Sequence, residues 1–264
     1  TALTDEAPMN ISPTSIGIRL LTTALLLTAV AVSTATSARL KGEMVTWGTF
    51  QFVRSVGASI SHAYFATTDG VVRYNKLERR WEIPLTGADG LDESLIRRLW
   101  PSRFDDHLFA QTDLGFYEYD PFFDRWYPRT DLPQLDTVYR QIPPPMNLIP
   151  PAGFNYFTPG SITDMAGRSV SIANVAEDNN GDLWIGTWGF GPACTRGGSP
   201  EIEFLSCGLL QRRVDALVSV DSIFSAAGGL TTDSRSGITL FNQTNLSTTF
   251  IEGGVAVGFQ QVGI

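Results

Sequence analysis

Two histidines, His62 and His107, and two cysteines, Cys194 and Cys207, are the only imidazoles and thiols in a chain of 264 residues. Chemistry that depends on either group therefore has few carriers. His107 follows two carboxylates, Asp105 and Asp106, a set that acid/base catalysis can use in a cleft that shifts its pKa values. The triplet falls where a turn before a strand belongs, which is the simpler account of it. Asp178-Asn179-Asn180-Gly181-Asp182 resembles the start of a calcium loop, but the bidentate Glu at the far end is missing and Trp184 and Ile185 follow at once. A hairpin turn explains it better. The glycines between Gly186 and Gly191 join two strands and open no helix, so no dipole is offered to a phosphate. Two Cys and two His without finger-like spacing make no zinc site, and neither a metal nor a cofactor is expected. No catalytic residue is assigned.

The elements that would position such groups are read from composition and repeats. With 25 Gly, 15 Pro, 11% aromatic and 17% charged residues, the chain describes many short strands and turns rather than long helices. A net charge of −8 argues against nucleic acid, whose phosphates require clustered Lys and Arg.

Residues 1–38 differ from the rest. The run IGIRLLTTALLLTAVAV (16–32) has a basic residue, Arg19, near its start, an apolar core of 13 residues from Leu20 to Val32, and small residues after it. This order predicts a secretory signal helix cleaved after Ala38 or Ala35, with an uncleaved membrane anchor as the alternative. The protein is accordingly expected to be exported, to the periplasm, the cell surface or the medium. In such a compartment Cys194 and Cys207, 13 apart in one expected hairpin, can hold a disulfide if their strands pair in the right register.

Beyond the leader the chain repeats itself. His62-Ala-Tyr-Phe-Ala-Thr-Thr-Asp69-Gly is echoed by His107-Leu-Phe-Ala-Gln-Thr-Asp113-Leu-Gly, 44 residues on (113 − 69). Tyr74 to Trp81 and Tyr119 to Trp126 are then both seven apart. Asp182-Leu-Trp-Ile-Gly-Thr187 begins a third unit and Ser222-Ile-Phe-Ser-Ala226 a fourth, with Trp184 and Phe224 separated by 40 (224 − 184). Between the second and third units lies an insertion, 141–160, holding six prolines, each of which removes a ladder donor. It reads as an ordered loop whose aromatics Phe154, Tyr156 and Phe157 pack on a rim and are the candidate ligand-binding residues.

Four short strands per 40 to 45 residues, closed by polar hairpin turns, predict an all-β fold, a β-propeller with about four recognisable four-stranded blades. The expected organisation is an extension and signal peptide at 1–38 and a partial propeller domain at 39–264. Its sheet cores lie near 60–85, 95–130, 170–205 and 214–251, with a partial blade before them and a further strand near Val255. Each blade is expected to be apolar on both faces and to bury them against its neighbours around an axis. The chain is read as an incomplete fragment of a larger propeller.

Glu177-Asp178-Asn179-Asn180-Gly181-Asp182-Leu183-Trp184-Ile185-Gly186-Thr187, followed by Gly189-Phe190-Gly191, resembles the two-component regulator propeller repeat. The resemblance is specific in this unit and degraded in the others. It implies an exported ligand-sensing or protein-interaction module without catalysis, whose repeat residues are structural and whose ligand is a protein, a small molecule or a glycan. The competing class is a propeller hydrolase or lyase acting on polysaccharide, which requires two or more Asp, Glu or His in the axial funnel. A membrane contact would come only through the leader.

Overall fold

Strands with alternating apolar residues dominate the computed structural model, which describes residues 47–91, 95–102, 105–132, 134, 141–158, 160–227 and 237–252. The expected signal helix at 1–38 and the strand expected near Val255 lie outside them. All described residues belong to one compact unit, Thr46–Ile264. They form antiparallel sheets in which consecutive strands are hydrogen-bonded neighbours.

Sheet one comprises β1 (Val53–Ala58), β2 (His62–Thr67), β3 (Gly70–Asn75) and β4 (Arg80–Trp81). Sheet two repeats the pattern with β5 (Ile96–Pro101), β6 (Leu108–Thr112), β7 (Phe116–Asp120) and β8 (Arg125–Arg129). The third sheet is larger: β9 (Gln141–Ile142), β10 (Phe154–Thr158), β11 (Ser161–Asp164), β12 (Ser169–Glu177), β13 (Leu183–Thr187), β14 (Pro192–Cys194) and β15 (Glu203–Phe204). Its path runs from β10 to β15, and β9 pairs with β12 off that path. Sheet four is β16 (Ala216–Val220), β17 (Ile223–Ala227), β18 (Gly237–Asn242) and β19 (Thr248–Glu252).

Two local devices write the repeat. In the first three sheets a buried threonine closes the hairpin after the second strand: Thr67 Oγ1 donates to Gly70 O at 2.8 Å, Thr112 Oγ1 to Gly115 O at 3.2 Å and Thr187 Oγ1 to Gly191 O at 2.8 Å. Gly70 and Gly115 have φ of 132° and 150°, which a side chain would resist. Measured between these threonines the first two units are 45 apart (112 − 67), one more than the Asp69-to-Asp113 match, because the aspartate stands second in the first turn and first in the other. The other device closes the outer hairpin of sheets one, two and four. Asn75 Oδ1, Asp120 Oδ1 and Asn242 Oδ1 each accept the two N–H groups two and three residues on. The fourth residue on, Arg79, Asp124 or Leu246, is left-handed, with φ between 52° and 57°.

The stacking departs from the expected succession. Along β2 and β3 alternate side chains point to opposite faces, as pleating demands. Phe65 and Val72 join Trp184, Ala176 and Cys194 of sheet three in one apolar cluster, while Tyr64, Ala66 and Val71 join Leu99, Leu108 and Tyr119 of sheet two in another. Sheet one is thus the middle layer. Two glycines mark close approach between sheets: a Cβ on Gly57 would stand 2.3 Å from Pro101 Cδ, and one on Gly186 would stand 2.5 Å from Val53 Cγ1. The opposite face of sheet two mixes the aromatics Trp100, Phe109, Phe116 and Tyr127 with charge. Tyr117 and Tyr119 are buried, whereas Glu118 between them pairs with Arg129 at 2.8 Å near the surface.

Two expectations are corrected. Val53–Ala58, assigned to a partial blade, is the first strand of sheet one, whose 60–85 core therefore begins earlier. Of the stretch 141–160 read as loop, Gln141–Ile142 and Phe154–Thr158 are strands. The prolines bound β10 without entering it, so ladder donors are lost only outside the strand.

Candidate functional site

In each of the first three sheets the strand that precedes the threonine-closed hairpin pair, β1, β5 or β12, carries a bulge at the same place. Register runs from Val53↔Thr67 to Ser55↔Ala66, from Ile96↔Thr112 to Arg98↔Gln111, and from Ile172↔Thr187 to Asn174↔Gly186. The extra residues are Arg54, Arg97 and Ala173. A bulge bends its strand and re-aims the side chain of the added residue. All three bulge residues line one open cavity of about 910 Å³ between β1, β5 and β12. Arg98, Gln111, Ser171 and Trp188 complete most of its wall.

Polar contacts fix the strands beneath it. Ser55 Oγ, buried beside Arg54, accepts Leu99 N of β5 at 2.9 Å and Gln141 Nε2 at 2.7 Å. Gln141 Oε1 in turn accepts Asn174 Nδ2 at 3.0 Å, and Asn174 Oδ1 accepts Val56 N at 3.3 Å. Backbone donors that pair with no strand are thereby satisfied from neighbouring sheets. The glycine-rich turn after Thr187 folds onto the chain before β1, with Gln51 O accepting both Gly189 N at 2.9 Å and Gly191 N at 3.0 Å. That seats Trp188 against Phe52, and the Arg54 guanidinium lies 4.8 Å over the Trp188 ring.

The cavity is cationic. Among the described residues its lining contains no carboxylate and no imidazole. Arg54, Arg97 and Arg98 have no acidic partner there, and Arg54 Nε is buried without a protein acceptor. Among the described residues the cavity lining therefore shows neither paired acids nor small and aromatic side chains alone. Sequence reasoning missed these arginines. The available signal was Ile96-Arg97-Arg98-Leu99, two consecutive charges inside an apolar strand, which breaks period 2 where a bulge restores it.

The acid–imidazole groups lie elsewhere. Asp106 turns to His62, not to His107: His62 Nδ1 is 3.6 Å from Asp106 Oδ1 and 2.7 Å from Ser61 Oγ, and His62 Nε2 is 3.0 Å from Glu82 Oε1. Burial would push His62 down, but hydrogen bonds to Asp106 and Glu82 overcome it and raise the imidazole to about 9. The hydrogen bond from His62, against the opposing pull of burial, holds Asp106 down at about 2. A histidine held charged between two acids ties sheet one to the chain before β6 and is a poor base. His107 pairs with Glu118 at 2.8 Å. In the 178–182 turn Asp178 accepts Asn180 N, Asp182 N, Trp184 Nε1 and Lys76 Nζ, which leaves it acting as a brace. Among the described residues no group of three His, Cys, Asp or Glu is placed to hold a metal ion.

The expected rim aromatics divide. Phe154 packs on Phe190 and Phe204 at 5.2 and 4.9 Å between centroids, and Tyr156 donates to Pro145 O at 2.8 Å while accepting Gly160 N. Phe157, on the other face of β10, is 73% exposed. None of the three is among the described residues that line the cavity. Cys194 and Cys207 are both buried in the cluster between sheets one and three, and both thiols are free. Burial raises Cys194 to about 12 and Cys207 well above its ordinary range. Among the described residues no helix is long and apolar enough to cross a membrane.

No protein-family profile matches the chain, and no curated protein matches it. Among solved structures it is similar to the extracellular domain ascribed to the hybrid two component system BT4673 of B. thetaiotaomicron, at 15% identity over 75% of this chain and 27% of that one, with a TM-score of 0.27. The corresponding domain of BT3049 from the same organism gives 17% identity over 82% and 30%, with a TM-score of 0.26. PorZ, a surface component of the type-IX secretion system of Porphyromonas gingivalis, gives 14% identity over 78% and 28%, with a TM-score of 0.29. The chain spans less than a third of the length of each of these structures.

Proposed function

We propose that residues 39–264 form a β-propeller-type domain of an exported protein that serves as a ligand-sensing or protein-interaction module without catalysis. One observation carries the reading: β1, β5 and β12 converge, through bulges at equivalent positions, on a single preformed cavity. Open, rigidly framed cavities where repeated elements meet are common binding sites. Export is supported by the order of residues in 16–38. Phe157 supplies a further apolar contact at the edge of sheet three, held out by Phe154 and Tyr156 beneath it.

The test is a titration of the purified chain with a mixed panel of neutral saccharides and small anions, followed by tryptophan fluorescence in wild type and Trp188→Ala. A saturable change in wild type that disappears in the variant, with the ligand recovered intact by NMR, is the expected result. Consumption of the ligand would favour the polysaccharide-cleaving alternative, and silence from the whole panel would remove the cavity as a binding site.

A further inference from the structure

Resting on that reading of the cavity, we propose that its ligand is a small polyanion, a molecule with at least two carboxylate or phosphate groups gathered by Arg54, Arg97 and Arg98.

Among the described residues most arginines outside the cavity are matched with acid, Arg79 and Arg125 being exceptions. Arg73, Arg129, Arg168 and Arg196 each have a carboxylate oxygen within hydrogen-bonding or ion-pair distance, between 2.5 and 3.6 Å. The three in the cavity break that habit together, with no acidic partner among the described residues. Their placement follows from the backbone, since two of the three equivalent bulges deliver an arginine and Arg98 follows directly after one. Gathering guanidiniums without counter-charge is unfavourable until an anion arrives, and their forked donors suit the planar carboxylate or the phosphate group. Arg54 is already oriented. Its plane rests on Trp188 at 4.8 Å, and its buried Nε–H still lacks an acceptor.

Charge on the whole molecule sharpens the choice. At a net −8 the surface repels anions in general, so a local cationic recess is the place where one can settle. A cavity of about 910 Å³ has room for more than a single inorganic ion. Three cations in one recess favour a ligand that spans them over one that neutralises a single group.

Isothermal titration of the whole chain at low salt tests this with four probes: citrate for carboxylates, inorganic pyrophosphate for phosphates, acetate as a single-charge control, and a neutral trisaccharide. Citrate or pyrophosphate is expected to bind one to one and to weaken as NaCl is raised, with acetate at least about tenfold weaker. Whichever of the two binds more tightly identifies the source of the oxyanion. The surface pair Arg97→Ser/Arg98→Ser should reduce affinity by about tenfold or more, with an unchanged melting temperature confirming the fold. Arg97→Lys/Arg98→Lys, which keeps charge but loses the fork, should fall between. If anion binding is unaffected by the serine pair, the anion sits elsewhere and the proposal fails. Binding of the neutral sugar alone, lost in Trp188→Ala, overturns the polyanion and leaves the cavity as a binding site. Silence from every probe removes both.

Discussion

Lys76 Nζ stands 2.8 Å from Asp178 Oδ2, the lysine side chain 9% exposed and the carboxylate not at all. The pair spans sheets one and three. Burial resists ionisation of Asp178, yet bonds from Lys76 and Trp184 hold its carboxyl below the usual range. Removing one partner of such a pair leaves a charge without compensation. Lys76→Met should therefore destabilise by about 3–5 kcal/mol in urea denaturation, and Lys76→Met/Asp178→Asn by less. His62 is a pH-dependent link of the same kind. Its pKa of about 9 exceeds the ordinary 6.5, so its contribution is complete below 6.5 and is lost as pH rises through 9. Asp106, at about 2 against 3.8, contributes above 3.8 and is lost as pH falls through 2. The melting-temperature gap between wild type and His62→Gln should be widest between pH 3.8 and 6.5 and should close above pH 9. An equal gap at all pH values would show that the imidazole matters only by its shape.

Among the elements, the third and fourth strands of the first two units were the most legible in sequence. Tyr74 and Trp81 pair across β3 and β4, and Tyr119 and Trp126 across β7 and β8, so a fixed spacing of aromatics reports a fixed turn. The first strand, β1, was harder. The bulge at Arg54 interrupts alternation, so β1 read as a fragment of another blade, and the bulge at Arg97 hid the cavity. Proline counting concealed β10, because a loss of donors was ascribed to a whole stretch when it applies only to its flanks. Strand contacts were partly visible at Gly186, whose missing side chain admits β1. Gly186→Ala would bring a methyl to 2.5 Å from Val53 Cγ1 and 2.7 Å from Val56 Cγ2. Overpacking of this kind should cost about 1–3 kcal/mol, and Val53→Ala in the same chain should restore part of it. Chemical denaturation of the two variants reads both terms.

At the scale of the molecule, the order of the sheets is not written in the repeat, because each repeat encodes contacts within itself. What the structure adds is the pair of apolar clusters that join sheet one to sheet three on one side and to sheet two on the other. Sheet one, apolar on both, becomes the centre, and Trp184 reaches it from sheet three with its ring 6.3 Å from that of Phe65. Trp184→Ala should cost about 3–5 kcal/mol and should lower near-UV and far-UV CD transitions together, since its cluster joins two sheets. Sheet four is held differently. Every residue of β16 is exposed, and its ties to the rest include Trp47 on Phe241 at 4.4 Å and Leu210 N to Thr239 Oγ1 at 2.8 Å. Its amides should exchange with deuterium faster than those of β2 and β13, measured peptide by peptide.

The threonine-closed hairpins carry a consequence for how such a chain can change over time. Each clasp is satisfied between its own threonine and glycine, so the residues between them contribute little to the ladder: Thr68 and Asp69 in one, Asp113 and Leu114 in the next, Trp188 to Phe190 in the third. Several of them brace other elements, Asp69 accepting from Thr49 N and Arg212, and Phe190 packing on Phe154, but Trp188 lines the cavity. A lineage, or an engineer, can swap the residue at 188 and acquire a new taste in ligands while the clasp beneath it keeps its form.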